Sequence, residues 1–265
     1  MGASEDRIEL ALKISGRMAV NARDEFLYFL DTLRVNCKED DSPVTPMDLE
    51  IERTIRREIE SVFPDDTIVG EEFPDHKGLS EYRWLIDPID GTKSFIHGVP
   101  LFSTLIGLEK SGESICGIIS LPALGLILYA EKGGGAWLRK KGSNREERVN
   151  CSSCRNISDA VFLTSEVLTF NKAGRRDAYE RLERSVKFTR TWGDAYGYFL
   201  VATGKAEMMV DPILSDWDAG PLLVILEEAG GKFTDWKGNR TIYGKEGIGS
   251  NGILHDEILK ILNEK

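Results

Sequence analysis

Two aspartates three positions apart, Asp87 and Asp90, close an apolar run that begins at Trp84, and Gly91 and Thr92 follow at once. Carboxylates at the end of a strand offer hard oxygen ligands to a cation. A helix opening just beyond them offers free N–H groups and a positive dipole end to an anion. A cation and an anion held side by side is what metal-assisted phosphate chemistry requires. Two carboxylates held this close also repel each other unless a cation joins them.

Further acids stand where predicted elements start or stop: Asp48, Glu71, Asp211 and Asp218. Taken singly, each reads as a cap or a turn former, and Asp216 reads the same way. Carboxylate oxygen without histidine favours Mg²⁺ or Mn²⁺ over zinc. The chain has three histidines, His76, His97 and His255, none at ligand spacing from another, and each reads as a surface residue. Ser94, Ser103 and Ser165 lack the G-x-S-x-G elbow of a serine hydrolase. No Walker-type loop occurs, and the Gly133–Gly135 run reads as a hairpin turn. Cys151 and Cys154 form a lone C-x-x-C, which reads as two incidental thiols.

The elements that must position these acids can be traced along the chain. Residues 5–35 carry apolar side chains at helical spacing: Ile8, Ala11, Leu12, Met18, Ala22, Phe26, Leu30 and Leu33. A second helix is predicted to begin at Thr45 as N-cap with Pro46 at its first position, which places Asp48 in the first turn. Short strands are predicted at 67–70 and 82–86, with a turn at Pro88, which cannot extend a central strand. Strand-like runs at 103–108, 114–120, 126–130 and 135–138 read as an antiparallel meander. The polar stretch 139–158 is the boundary between an N-terminal half, 1–150, and a C-terminal half, 151–265. In the second half, strands are predicted at 161–165, 186–189, 207–210, 232–236 and 247–250, and helices at 195–202, 217–229 and 253–262. Mixed helices and strands imply stacked layers, an α+β architecture.

Composition narrows the function. The 265 residues hold 44 acidic and 34 basic side chains, a net charge of −10, which argues against a nucleic-acid binder. No apolar run reaches membrane-span length and the N-terminus lacks a signal-peptide pattern, so the cytoplasm is the expected compartment.

The motifs together resemble the inositol monophosphatase superfamily of Mg²⁺-dependent, lithium-sensitive phosphatases. The resemblance is carried by Pro43–Asp48, by Gly70-Glu71-Glu72, by Trp84–Thr92, and by Trp217-Asp218-Ala219-Gly220 followed by Glu228–Gly231. Within it, Lys93-Ser94-Phe95, the run 100–106, and the region from Arg190 through Trp192, Asp194, Tyr196 and Tyr198 to Asp211 resemble the histidinol-phosphatase branch. The resemblance implies a layered αβαβα sandwich, a homodimer, and two or three Mg²⁺ per site, with Mn²⁺ as a possible substitute. It implies that Glu71, Asp87, Asp90 and Asp218 ligate metal, with the carbonyl of Ile89. Asp48 and Thr92 would orient and deprotonate the attacking water, and the amides of Gly91 and Thr92 would hold phosphate. Asp211 would meet the organic part of a small phosphorylated metabolite.

Histidinol phosphate carries a cationic amine and an imidazole, which suit Asp194 and Asp211, with Trp192 or Tyr196 beside the ring. Arg190 is expected to bind substrate or to pair with Asp194. Inositol 1-phosphate, fructose 1,6-bisphosphate and other sugar phosphates are the alternative substrates. A catalytically silent dimeric scaffold of the same fold is the alternative of another class, and the intact set of acids argues against it.

Overall fold

The computed structural model describes residues 3–29, 36–37, 43–143 and 145–264. The chain opens with α1 (Ala3–Phe29), a two-residue pair β1 (Asn36–Cys37) and β2 (Pro43–Val44), and α2 (Pro46–Val62). Ile8, Ala11, Met18 and Phe26 of α1 are buried and Leu12 packs beside them, as the helical spacing predicts. Leu30 and Leu33 lie outside the described residues. Thr45 caps α2 as expected: its hydroxyl accepts from the Met47 N–H, and Asp48 reaches back to the Thr45 N–H to complete a capping box.

Next come β3 (Thr67–Gly70), β4 (Tyr82–Asp90), the short α3 (Thr92–Ile96), β5 (Ser103–Lys110), β6 (Glu113–Leu121), β7 (Leu126–Glu131), β8 (Gly135–Lys140) and β9 (Glu146–Val149). These strands form a seven-stranded sheet in sequence order, antiparallel except where β3 runs parallel to β4. The turn expected at Pro88 is not there. β4 runs through it to Asp90, and the irregularity is a register shift against β5 between Asp87 and Asp90. A bulge of this kind removes the need for a ladder donor at Pro88 and re-aims the carboxylates. β9 also falls in the stretch expected to be loop. It is an exposed, charged edge strand, held to β8 by Arg139–Glu146 and Lys140–Glu147 ion pairs.

The second half contains β10 (Val161–Leu163), α4 (Val167–Lys172), α5 (Arg176–Ser185), β11 (Phe188–Arg190), α6 (Ala195–Ala202), β12 (Met208–Asp211), α7 (Asp216–Glu228), β13 (Lys232–Thr234), β14 (Gly247–Ser250) and α8 (His255–Asn263). Its five-stranded sheet has the order β11-β10-β12-β14-β13. The helices α4 and α5 were not foreseen. Only Ala178, Tyr179 and Leu182 of α5 are buried, too few to mark a helical stripe in the sequence.

Side chains alternate across each sheet and build three cores. Trp84, Ile86, Ile106 and Ile118 face α1 and α2. Leu85, Leu105, Ile119 and Leu128 face α6 and α7, whose opposite sides meet Leu163, Met209 and Phe233 of the second sheet. Phe162, Met208, Val210 and Ile248 then face α4, α5 and α8 on the far side. The layers are αβαβα. Residues 222–226 of α7 are buried in succession, as a helix between two sheets must be. No helix among the described residues is long and apolar enough to cross a membrane.

Candidate active site

Three elements deliver four acids to one place. Asp87 and Asp90 end β4, Asp218 stands in the first turn of α7, and Glu71 follows β3. One oxygen from each of Asp87, Asp90 and Asp218 lies within 4.8 Å of the others. Glu71 falls outside that group but lines the same cavity, a space of about 570 Å³ that also meets Gly91, Thr92, Asp194 and Asp211. Asp87 is enclosed, whereas Asp90 and Asp218 keep one edge open.

Each carboxylate is oriented by the local fold. Asp90 Oδ2 accepts from Ser103 Oγ at 2.7 Å and from the Ala195 N–H at 2.8 Å, so the start of α6 is tied to β4. Asp218 is the third residue of the α7 capping box, its Oδ2 accepting the Ser215 N–H at 3.0 Å. The loop after β3 is held by Glu52 of α2, which accepts the Glu72 N–H at 2.8 Å and pairs with Arg56. Gly70 makes that approach possible, since a Cβ there would lie 2.3 Å from Glu52 Oε1. Asp48 Oδ2 takes both the N–H and the hydroxyl of Thr45, at 2.7 and 2.5 Å.

At the site, three buried carboxylate oxygens remain without a hydrogen-bond partner: Asp48 Oδ1, Asp87 Oδ1 and Asp218 Oδ1. Buried polar atoms are seldom left so. Burial, with the charges of Glu71, Asp218 and Asp90 added, drives the Asp87 carboxyl well above its usual range. Burial and neighbouring acids push Asp90 and Asp218 each up to about 7. Clustered carboxylates with orphaned oxygens and no histidine suit a hard divalent cation, which would relieve the repulsion and occupy the unfilled lone pairs.

Thr92 Oγ1 donates to the Ile89 carbonyl at 3.0 Å rather than to Asp48. Asp211 is buried with both oxygens engaged: Oδ1 accepts from Thr164 Oγ1 and the Ser165 N–H, and Oδ2 from the Tyr198 hydroxyl. Asp194 lines the cavity with a strained backbone, φ 54° and ψ −154°, and its carboxylate would lie 2.9 Å from any Cβ on Gly91.

The expected pair between Arg190 and Asp194 is not formed, and Arg190 does not line the cavity. It lies exposed at the end of β11, donates to the Thr189 carbonyl and sits over Phe188. Tyr196 stacks on Phe199 in the inner core, and Trp192 is exposed outside the cavity lining. His255, read as a surface residue, is buried between Thr234 and Ser250.

The sequence matches the profile of the inositol monophosphatase family over residues 6–265. The chain belongs to that family. This inositol monophosphatase family member is 40% identical to a histidinol-phosphatase of Chlorobaculum parvum over 241 residues, 91% of this chain and 90% of that one. It is 35% identical to a histidinol-phosphatase of Mycobacterium tuberculosis, covering 98% and 99% of the two chains. Among solved structures it resembles an inositol monophosphatase of Thermotoga maritima, with a TM-score of 0.83, 32% identity and 97% of each chain covered. The family member is thus a metal-dependent phosphomonoester hydrolase acting on small phosphorylated substrates.

Missed in the sequence were three residues that support the acids: Glu52, Ser103 and Tyr198. A carboxylate that accepts a backbone N–H 20 residues away, or a hydroxyl that donates to a carboxylate 13 residues away, leaves no local pattern. Also missed was an ion pair between Lys93 and Glu166, 2.8 Å long, which joins two residues of the cavity lining.

Proposed function

We propose that the protein is a histidinol-phosphatase, hydrolysing L-histidinol phosphate to L-histidinol and phosphate with Mg²⁺ as its cation. The observation that carries this reading is the pairing of the carboxylate cluster with relatives named histidinol-phosphatase at 35–40% identity across most of the chain. An acidic group beyond the cluster, Asp194 in the cavity wall, suits a substrate whose organic part is cationic.

Glu71, Asp87, Asp90 and Asp218, with the Ile89 carbonyl, would hold two or three Mg²⁺, or Mn²⁺ in their place. When bound, the cations supply positive charge to the phosphate oxygens and acidify water in the site. The free Oδ1 of Asp48 would take a proton from the attacking water while Thr45 holds its other oxygen. Thr92, fixed on Ile89, would orient that water, and since its hydroxyl does not reach Asp48 the two act through the water between them. The N–H groups of Gly91 and Thr92 would bind phosphate. Asp194 would face the substrate amine. Asp211, with both oxygens committed, would shape the wall through Tyr198 and Ser165. No phosphoenzyme is needed, because charge neutralisation supplies most of what this hydrolysis requires. The halves 1–150 and 151–265 would divide the work, the first bringing most cation ligands and the second Asp218 and the substrate wall. A homodimer is the assembly this reading carries.

The test is kcat/KM on histidinol phosphate, inositol 1-phosphate, fructose 1,6-bisphosphate and adenosine 3′,5′-bisphosphate, each with and without a chelator. Histidinol phosphate should be the best of the four and chelation should abolish turnover. Preference for a sugar or inositol phosphate would replace the assignment with that of a Thermotoga maritima relative, 36% identical, named fructose-1,6-bisphosphatase/inositol-1-monophosphatase.

A further inference from the structure

One ion pair lies beside the cluster and has no part in the chemistry. Arg83 Nη2 donates to Asp216 Oδ2 at 2.9 Å. Arg83 is on β4, four residues before Asp87. Asp216 opens α7, two residues before Asp218. Alternation along a strand puts Arg83, Leu85 and Asp87 on one face. All three meet α7: Arg83 at Asp216, Leu85 against Gly220, and Asp87 at Asp218. The strand and the helix that share the carboxylate cluster are therefore pinned to each other a short step away.

Both ends of the pin are themselves anchored. Arg83 Nη1 donates to Glu109 at 3.2 Å, its register partner on β5, and to the Tyr243 hydroxyl at 2.7 Å. Tyr243 in turn donates to Glu109, which is buried. Lys245 reaches the other oxygen of Asp216 at 3.4 Å, and its carbonyl accepts the Leu214 N–H just ahead of the helix.

The helix does not need this pair in order to dock. α7 is buried by apolar contacts with both sheets, which are non-directional. Such contacts leave slide and rotation of the first turn weakly set. A guanidinium fork has fixed geometry and sets them. We infer that the Arg83–Asp216 pair is a positioning pair for cation binding, setting the separation of Asp87 and Asp218 by fixing the first turn of α7 on β4. This rests on the proposed reading of those acids as cation ligands.

The sign of one substitution separates positioning from simple electrostatics. Arg83→Gln removes a positive charge near the cluster, which by charge alone tightens cation binding. Positioning demands the opposite. Titration calorimetry of the substrate-free full chain with Mg²⁺ should show binding weakened roughly 10- to 100-fold, the usual cost of losing an outer support of a metal site. Turnover at saturating Mg²⁺ should then recover towards the parent value. Arg83→Lys keeps the charge and loses the fork, so it too should weaken binding, and it carries the test if Arg83→Gln does not fold. Arg240→Gln, which breaks the Arg240–Glu227 pair near the other end of α7, should leave the Mg²⁺ affinity unchanged. Unchanged or tighter binding in Arg83→Gln, or an equal loss in Arg240→Gln, overturns the inference. Asp218→Asn separates the layers of the argument. If it abolishes Mg²⁺ binding while Arg83→Gln has no effect, only the positioning role fails. If it leaves binding intact, the cation site itself is misassigned.

Discussion

Gly117 of β6 and Pro221 of α7 meet backbone to backbone: a Cβ on Gly117 would lie 2.2 Å from the Pro221 carbonyl oxygen. Gly107, its partner on β5, is almost as close, with a Cβ position 3.0 Å from Pro221 Cδ. The two glycines form a shallow seat across the sheet, and α7 lies in it. Gly117→Ala should therefore lift the helix. We expect a stability loss of about 1–3 kcal/mol, read from the urea midpoint, and weaker Mg²⁺ binding, read by calorimetry. A full-strength site in this variant would show that the seat does not set the position of Asp218.

Burial, the charges of Glu71, Asp218 and Asp90, and a hydrogen bond to the Asp218 carboxyl together raise the Asp87 carboxyl. Asp87→Asn keeps the shape, removes a carboxyl whose ionisation the burial and its acidic neighbours oppose, and can still donate towards Asp218. In chelator the variant should melt at a higher temperature than the parent, while kcat falls by at least about a thousandfold, in the manner of sites that trade stability for function. A lower melting temperature in chelator would contradict the repulsion inferred for the cluster.

The cation-free protein should lose stability as the pH rises. Asp90 and Asp218 are raised from 3.8 to about 7 in the folded state. A carboxyl raised on folding favours the folded chain fully below its unfolded value, and that contribution is lost as the pH climbs through about 7. Melting in chelator should fall between pH 6 and pH 8. Added Mg²⁺ should restore it, with the larger gain at pH 8. Equal gains at the two values would place cation binding elsewhere.

His255 predicts the opposite slope at lower pH. Burial depresses it from 6.5 to about 4. Its neutral form is the one that the folded core accepts, so its contribution is present above 6.5 and lost as the pH falls towards 4. The loss amounts to at most about 3 kcal/mol. With Mg²⁺ saturating, to silence the cluster, unfolding from pH 7 to pH 5 should show this decline. His255→Gln should flatten it.

Much of this was legible in the sequence where the cause was local. Thr45, Pro46 and Asp48 announce the start of α2 because a capping box is built from residues three apart. The meander of β5 to β8 was readable from alternation and glycine breaks. Pro88 was misread because a bulge, which depends on the neighbouring strand, lets proline continue at the end of β4. His255 was misread because its partners, Thr234 and Ser250, come from β13 and β14. The Arg190–Asp194 pair does not form, because sequence neighbours of Asp194 need not share its face. The acids could be named from motifs, but their supports, Glu52, Ser103 and Arg83, act across gaps that no spacing rule covers.

The inner helical layer has a consequence for the order of events in biosynthesis. Asp87 and Asp90 emerge early with the first sheet, whereas Asp218 follows late and needs α7 enclosed by strands that include β14, close to the end of the chain. The three-carboxylate cluster therefore joins parts of the chain made far apart in time. A cation held by all three would act as a latch between the first sheet and the inner helix, and would favour the closed junction by mass action.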